Sequence, residues 1–206
     1  MAFVTATATI EPTQVRLLDA AERLIGAQGV DGVSLRAINA EAGSNVAAAH
    51  YHFGSREGLV RAVLTRRMTV LAEERYELLA PLEHEATPSV RQVAEVVALP
   101  LLDLSRRQTG MDYVRFLSAL DRSGGEWLHL LDEAFAPQLA RLLPVLVRAT
   151  PDVDDARRVL RLAVAGATLL HMLASADRYV GQLDTDDYRD EVVGTITSIL
   201  RGPPAR

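Results

Sequence analysis

Residues 34–59 read Ser-Leu-Arg-Ala-Ile-Asn-Ala-Glu-Ala-Gly-Ser-Asn-Val-Ala-Ala-Ala-His-Tyr-His-Phe-Gly-Ser-Arg-Glu-Gly-Leu, and their polar side chains are of the kinds that meet nucleic acid. Asn45 can pair bidentately with adenine or take a phosphate, while Ala47 and Ala48 are small enough for close approach and for contact with a thymine methyl. Ser44 and Val46 flank Asn45 and belong to the same candidate contact set. His50, Tyr51 and His52 lie farther along, where an imidazole or phenol can donate to phosphate. Ser34 with Arg36, and Ser55 with Arg56, fall at expected helix starts, where backbone amides and positive charge can hold phosphate.

The elements that must position these groups are legible in the same stretch. A short helix opens at Ser34, a tight turn falls at Gly43, a second short helix follows, and Gly54 stops it. Apolar Leu35, Ile38, Ala42, Val46, Ala49 and Phe53 are expected to face inward, and small and polar residues cover the outer face of the second helix. That is the construction of a helix-turn-helix whose second helix enters the major groove. The stretch resembles the TetR family of bacterial transcriptional repressors. In that family a Ser/Thr opens helix two, Ala-Gly marks the turn, and Tyr-x-Phe-x-Ser-Lys-Glu-x-Leu joins the recognition helix to a long connecting helix. The matching residues here are Ser34, Ala42, Gly43, Tyr51, Phe53, Ser55, Arg56, Glu57 and Leu59. Arg56 stands where the family usually has Lys, and His50 where it often has a second aromatic. The variant Asn-x-Ala-Ala-x-x-Tyr-His-Phe-Gly-Ser resembles a subgroup that includes regulators of fatty-acid metabolism. The close resemblance covers about the first 65 residues. It implies an all-α, nine-helix fold, with a DNA-binding domain over 1–54 and a ligand-binding and dimerisation domain over 55–206, joined by the helix from Ser55.

Composition sets the frame around this motif. The chain of 206 residues is 49% hydrophobic, which suits a globular protein and not a disordered one. Charges interrupt every apolar run within the ~18–20 residues a membrane span needs. Residues 1–10 show no basic stretch before a long apolar core, so no signal peptide is expected, and a DNA reader is expected in the cytoplasm. Cysteine is absent, and all 22 basic residues are arginine, as GC-rich codon usage would produce. The net charge of −5 divides unevenly: residues 1–67 hold seven arginines against six acids, and the remainder fifteen against twenty-one. The acidity belongs to the carboxyl-terminal part. A DNA domain so nearly neutral must lean on arginine placement, helix starts and dimerisation rather than on bulk charge.

Helical periodicity runs throughout, and strand alternation is nearly absent. The first helix is expected from Pro12–Thr13 to Gly29, with Val15, Leu18, Ala21, Leu24 and Ile25 on one face. The third should span about residues 45–51, and the fourth should run from Ser55 to about Leu79, ahead of Pro81. Ser89 to about Gln108 forms the fifth, with a kink or break at Pro100. Met111–Arg122 forms the sixth. The seventh, opened by Gly124–Gly125, reaches Arg148 with interruptions at Pro137 and Pro144. The eighth runs from about Asp154 to Tyr179, and the ninth from Asp186 to Leu200, before a frayed tail.

In the carboxyl-terminal part, a small-molecule effector pocket is expected among helices four to eight, with Met68, Leu71, Leu99, Leu102, Phe116, Leu120, Trp127, Leu131, Phe135 and His171 as candidate lining. Aliphatic residues outnumber aromatics there, and cation cages need aromatics, so an acyl chain or other apolar molecule fits better than a flat cation. Arg115, Arg122 or His171 could meet an anionic head. Val159, Leu162, Gly166, Leu169, Leu170 and Leu173 of helix eight, with Val192, Val193, Ile196 and Ile199 of helix nine, form apolar stripes suited to a two-fold four-helix dimer seam. No nucleotide or phosphate loop, nucleophile elbow or metalloprotease motif is present, and the pairs Glu73-Glu74, Asp132-Glu133, Asp154-Asp155 and Asp186-Asp187 diverge on a helix. No enzyme activity and no cofactor are expected. His50 and His52, two apart on a helix, point to different faces, so no metal site is expected either.

Overall fold

The computed structural model describes residues 12–107, 109–178 and 185–203. The reading of residues 1–10, the helix ends placed at Gln108 and Tyr179, and the last residues of the tail lie outside them. Among the described residues are nine α-helices and no strand: α1 (Pro12–Gln28), α2 (Leu35–Glu41), α3 (Ala48–Phe53), α4 (Arg56–Glu83), α5 (Val90–Ser105), α6 (Gly110–Arg122), α7 (Gly125–Ala149), α8 (Asp155–Ala174) and α9 (Thr185–Arg201). Their starts follow from side chains that accept otherwise orphaned amides. The Ser34 hydroxyl accepts from Ala37 N at 3.1 Å and the Ser55 hydroxyl from Gly58 N at 3.0 Å. Ser89 and Gln92 form a reciprocal capping box at α5. Asp154 accepts from Arg157 N at 2.9 Å at the start of α8.

The proline positions correct the sequence expectation. α4 continues through Pro81, α5 through Pro100, and α7 through both Pro137 and Pro144. A helical proline removes one donor and leaves the carbonyl four residues earlier without its partner. At Pro100 that carbonyl belongs to Val96, and the Arg75 guanidinium supplies the missing donor, Nε to oxygen at 3.3 Å. The third helix also begins later than expected. Asn45 Oδ1 accepts from Ala47 N at 3.1 Å, a local bond that makes a turn of residues 45–47 before helical geometry sets in at Ala48. Val15 is partly exposed and not on the buried face of α1, where Leu17, Leu18, Ala21 and Ile25 lie.

α1, α2 and α3 form the amino-terminal head. α4, 28 residues and about 42 Å long, runs from it into the body and packs on α5 and α7. The head does not hang by α4 alone, because α1 lies along α6. Gly26 permits that approach: a Cβ there would sit 3.2 Å from both the Asp112 carbonyl oxygen and the Phe116 nitrogen. One hydrophobic core continues from Leu17 and Ile38 through Leu64, Tyr113 and Phe116 to Val192 and Ile196. Glu22 of α1, only 2% exposed, is clasped by Arg66 and Arg67 of α4. Arg66 also reaches Asp19 at 2.8 Å, and Arg67 donates to Thr109 Oγ1 at 2.9 Å, just ahead of α6. Burial pulls the Arg66 guanidinium down, but its bonds to Glu22 and Asp19 outweigh it and hold it above its ordinary value. No helix among the described residues is long and apolar enough to cross a membrane.

Candidate nucleic-acid interface

The turn between α2 and α3 is organised by Asn39, a residue the sequence reading passed over. Its side chain is 2% exposed and every polar atom is used. Nδ2 donates to the carbonyls of Leu35 at 2.8 Å and Val46 at 2.9 Å, and Oδ1 accepts from Ala49 N at 2.9 Å and the Ser44 hydroxyl at 3.1 Å. One amide thus ties α2, the turn and α3 into a unit, as a buried polar network must if it is not to cost stability. The signal was available: Asn39 is four residues after Leu35 and one after Ile38, in the buried register of α2. Gly43 makes the turn with φ 59°, the left-handed region that favours glycine.

This scaffold presents the expected surface. Asn45, Ala47 and His50 are exposed, and Tyr51 is 84% exposed. Ala48 and His52 are half-buried, with the His52 ring between those of Tyr51 and Phe53. Ala49 is buried, and half-buried Phe53 packs on the core. Val46 is corrected: it is 71% exposed, because it sits in the turn and not on the inner face of a helix, so it shares the outer surface with Asn45. Ser44 spends its hydroxyl inside, on Asn39. Ser34, Arg36 and Ser55 are exposed at the starts of α2 and α4.

Arg56 is held differently from the phosphate-facing placement expected for it. Its guanidinium carbon lies 5.1 Å from the centroid of the Trp127 ring at the start of α7, and its Nε and Nη2 are closed off without a hydrogen-bond partner. Trp127 Nε1 donates to Asp31 in the α1–α2 loop at 3.2 Å. Arg56, Trp127 and Asp31 therefore link the first turn of α4, the first turn of α7 and the head. Nearby, Arg61 of α4 pairs with Glu133 of α7 and with Glu57.

Residues 17–63 match the family described as bacterial regulatory proteins, tetR family, and residues 95–201 match the tetracyclin repressor-like C-terminal domain. The chain belongs to the TetR family. It is 33% identical over 157 residues to the HTH-type transcriptional regulator BetI of Rhizobium meliloti (strain 1021), covering 76% of this chain and 75% of that protein. The fold is similar to that of the transcriptional regulator FadR from Bacillus subtilis, solved in complex with stearoyl-CoA, at a TM-score of 0.63 and 16% identity, covering 89% of this chain and 97% of the other. It is likewise similar to AibR, solved in complex with isovaleryl coenzyme A and operator DNA, at a TM-score of 0.59 and 20% identity, with the same 89% and 97% coverage. The chain is thus a TetR-family DNA-binding transcriptional regulator, a family of regulators and not of enzymes.

The body of this TetR-family chain distributes the remaining candidate residues unevenly. Leu71, Leu99, Leu102, Phe116, Leu120, Trp127 and Leu131 are buried in the continuous core, and Phe135 packs half-buried against it. Met68 alone of the expected lining borders a groove of about 460 Å³ between α4 and α7, together with Ala72, Tyr76, Ala134, Pro137 and Gln138. His171 is exposed on α8, away from any interior lining. Arg115 is paired with Asp177 and Arg122 donates to the Ser118 hydroxyl, so both are engaged. Leu169, Leu170, Leu173, Val192, Val193 and Ile196 are buried within the chain's own core, which corrects their assignment to a seam between subunits; Leu162, Gly166 and Ile199 are half-buried. What α8 leaves outside is Ala156, Val159, Leu160, Ala163 and Val164, with Leu160 63% exposed. Among the described residues, its own helix turn aside, nothing lies within 4 Å of a Cβ built on Gly166.

Arg75 is the other residue missed in the sequence, where it reads as one solvated charge in Glu73-Glu74-Arg75-Tyr76-Glu77. Its position seven residues after Met68 and four after Leu71 puts it in the buried register of α4. It is 5% exposed, and its guanidinium carbon lies 5.6 Å from the Phe135 ring centroid.

Proposed function

We propose that this chain is a homodimeric transcriptional repressor that binds a palindromic operator and is released by a small apolar effector, of the fatty-acyl or acyl-CoA type. The observation that carries the reading is the surface of residues 45–51, held rigid by the fully bonded Asn39 and left open to solvent. In the proposed complex the exposed Asn45, Val46 and Ala47, with half-buried Ala48, enter the major groove. Arg36, Ser34, Ser55, Tyr51 and the histidines meet the flanking phosphates. The recognition-helix variant, with its resemblance to regulators of fatty-acid metabolism, supports the acyl reading, as do two relatives of like fold solved with acyl-CoA molecules.

The exposed apolar stripe of α8 supports a two-fold dimer, with the open space over Gly166 available to a partner helix. Two recognition helices then meet half-sites ~34–36 Å apart. Release is a population shift: the effector favours a form in which α4 swings and the heads leave groove spacing. On the operator Arg56 would leave Trp127 to reach a phosphate, and the effector-favoured swing of α4 would withdraw it.

Fluorescence anisotropy on DNA upstream of the chain's own gene, titrated across salt, tests the reading. The expected result is saturable binding that survives competitor DNA and weakens steeply with salt. Replacing Tyr51 with Ala should weaken binding roughly 10- to 150-fold, as loss of one hydrogen bond to a charged phosphate does, without changing the salt slope. Equal, weak binding to any duplex sinks the reading.

A further inference from the structure

The turn that leads into α3 spends its polar side chains on itself. The Ser44 hydroxyl is bonded inside the turn to Asn39, and Asn45 Oδ1 accepts from Ala47 N at 3.1 Å. An adenine read bidentately needs both ends of an Asn amide, and here the oxygen end is already bonded to the chain. What residues 44–48 offer outward is therefore one amide nitrogen and the methyl groups of Val46 and Ala47, with half-buried Ala48 next in the chain.

Val46 dominates that surface. At 71% exposed it is the most open large aliphatic side chain among the described residues, ahead of Leu160 on α8 at 63%. Its backbone is nevertheless fixed. The Val46 carbonyl accepts from the buried Asn39 amide at 2.9 Å, and the carbonyls on either side, of Asn45 and Ala47, accept from Ala48 N and Tyr51 N, each at 2.9 Å. A β-branched side chain on a fixed backbone has few rotamers to lose, so its two methyls are held in place. A lone valine on an ordinary surface needs no explanation. This one stands at the entry to the helix that meets DNA, between polar neighbours that are already bonded. Of the four bases only thymine turns an apolar group into the major groove, its C5-methyl.

We propose that Val46 is a specificity-determining residue whose methyl groups pack on the C5-methyl of a thymine in each operator half-site. The proposal rests on the operator reading above and adds to it the identity of a base and the residue that selects it. Recognition here is burial of apolar surface, without a hydrogen bond and without a phosphate. It therefore changes affinity between sequences while releasing no counterions, and leaves the salt dependence to the residues that meet phosphate.

The test uses a duplex that the full-length protein enriches from a random-sequence pool, made again with deoxyuridine in place of every thymidine. Uracil keeps the hydrogen-bonding edge of thymine and lacks only the methyl. One buried methyl is worth roughly 4-fold in affinity, and two half-sites together roughly 15-fold. The wild-type protein should therefore bind the thymine duplex about 15-fold more tightly than the uracil duplex, with one salt slope for both. Val46→Ala should weaken binding to the thymine duplex, scarcely change binding to the uracil duplex, and so bring the two within about 3-fold. Its thermal melt should match that of the wild type, since so exposed a side chain supports no core. Thymidines replaced singly should trace the effect to one symmetry-related pair. Equal binding of the wild-type protein to both duplexes overturns the proposal, and so does a Val46→Ala protein that keeps the full thymine preference. An enriched sequence bound without regard to methyls removes this proposal alone, whereas failure to enrich any sequence removes the operator reading and this proposal with it.

Discussion

Replacing Glu22 with Gln tests how the head is fastened to the body. Glu22 is 2% exposed, accepts from Arg67 Nε at 3.3 Å and Nη2 at 3.1 Å, and is bonded as well by Arg66. The substitution keeps the shape and removes the charge, leaving two guanidinium groups facing a neutral amide. Breaking a buried ion pair from one side costs ~3–5 kcal/mol, because the surviving charge stays desolvated. Asp19 still serves Arg66, Thr109 still serves Arg67, and these side chains are 16% and 24% exposed. The lower end, about 3 kcal/mol, is therefore expected. For a chain of this size that lowers the melting temperature by about 6–12 °C, read by circular dichroism. Operator affinity should fall as well, since Arg66 and Arg67 orient α4. A control removes the whole cluster: Glu22→Leu with Arg66→Met and Arg67→Met should recover most of the loss. A melting temperature within about 2 °C of wild type for Glu22→Gln would refute the reasoning and make the cluster a solvated one.

Three further perturbations follow from the same geometry. Asn39→Asp turns the donor pair that faces the Leu35 and Val46 carbonyls into an acceptor, so it should cost about 3 kcal/mol and abolish operator binding while far-ultraviolet helicity is largely retained; near-normal DNA affinity would show that the turn holds itself. Gly26→Ala gains ~1 kcal/mol of helix propensity but drives a methyl against the α6 backbone, so net destabilisation is expected, and a rise in melting temperature would mean α6 can retreat. Leu160→Arg, in the middle of the exposed α8 stripe, should convert a dimer to a monomer in sedimentation and weaken operator binding with little loss of monomer helicity. An unchanged dimer would place the seam elsewhere.

The head was legible in the sequence because its signals are local. Ser34 and Ser55 sit at helix starts and cap them as read, and Gly43 and Gly54 carry the positive φ that ends each short helix. The misreadings share a cause, which is that periodicity gives a face without saying what the face meets. Val46 fitted the buried face of an imagined helix, but Asn45 had already bent the chain into a turn. On α8 apolar residues are common enough to cover both inside and outside, so Leu169 and Leu173 could not be told from Leu160 without the neighbouring helices in place. Pro100 read as a kink or a break because its cost is local, while the compensation comes from Arg75, twenty-five residues earlier on another helix. Arg75 and Asn39 were missed for the matching reason: a polar residue in a buried register reveals itself only through long-range partners.

Trp127 is the chain's one tryptophan, and it stands where the head, α4 and α7 meet. Its indole is shielded from water on one side by a guanidinium and tied on the other to Asp31. Any displacement of the start of α4 removes a nearby positive charge and wets the ring, changes that shift emission to longer wavelength and alter its quenching by iodide or acrylamide. The protein thus carries an intrinsic optical gauge at its joint. A stopped-flow trace of that single fluorophore would time the movement of the heads without any label.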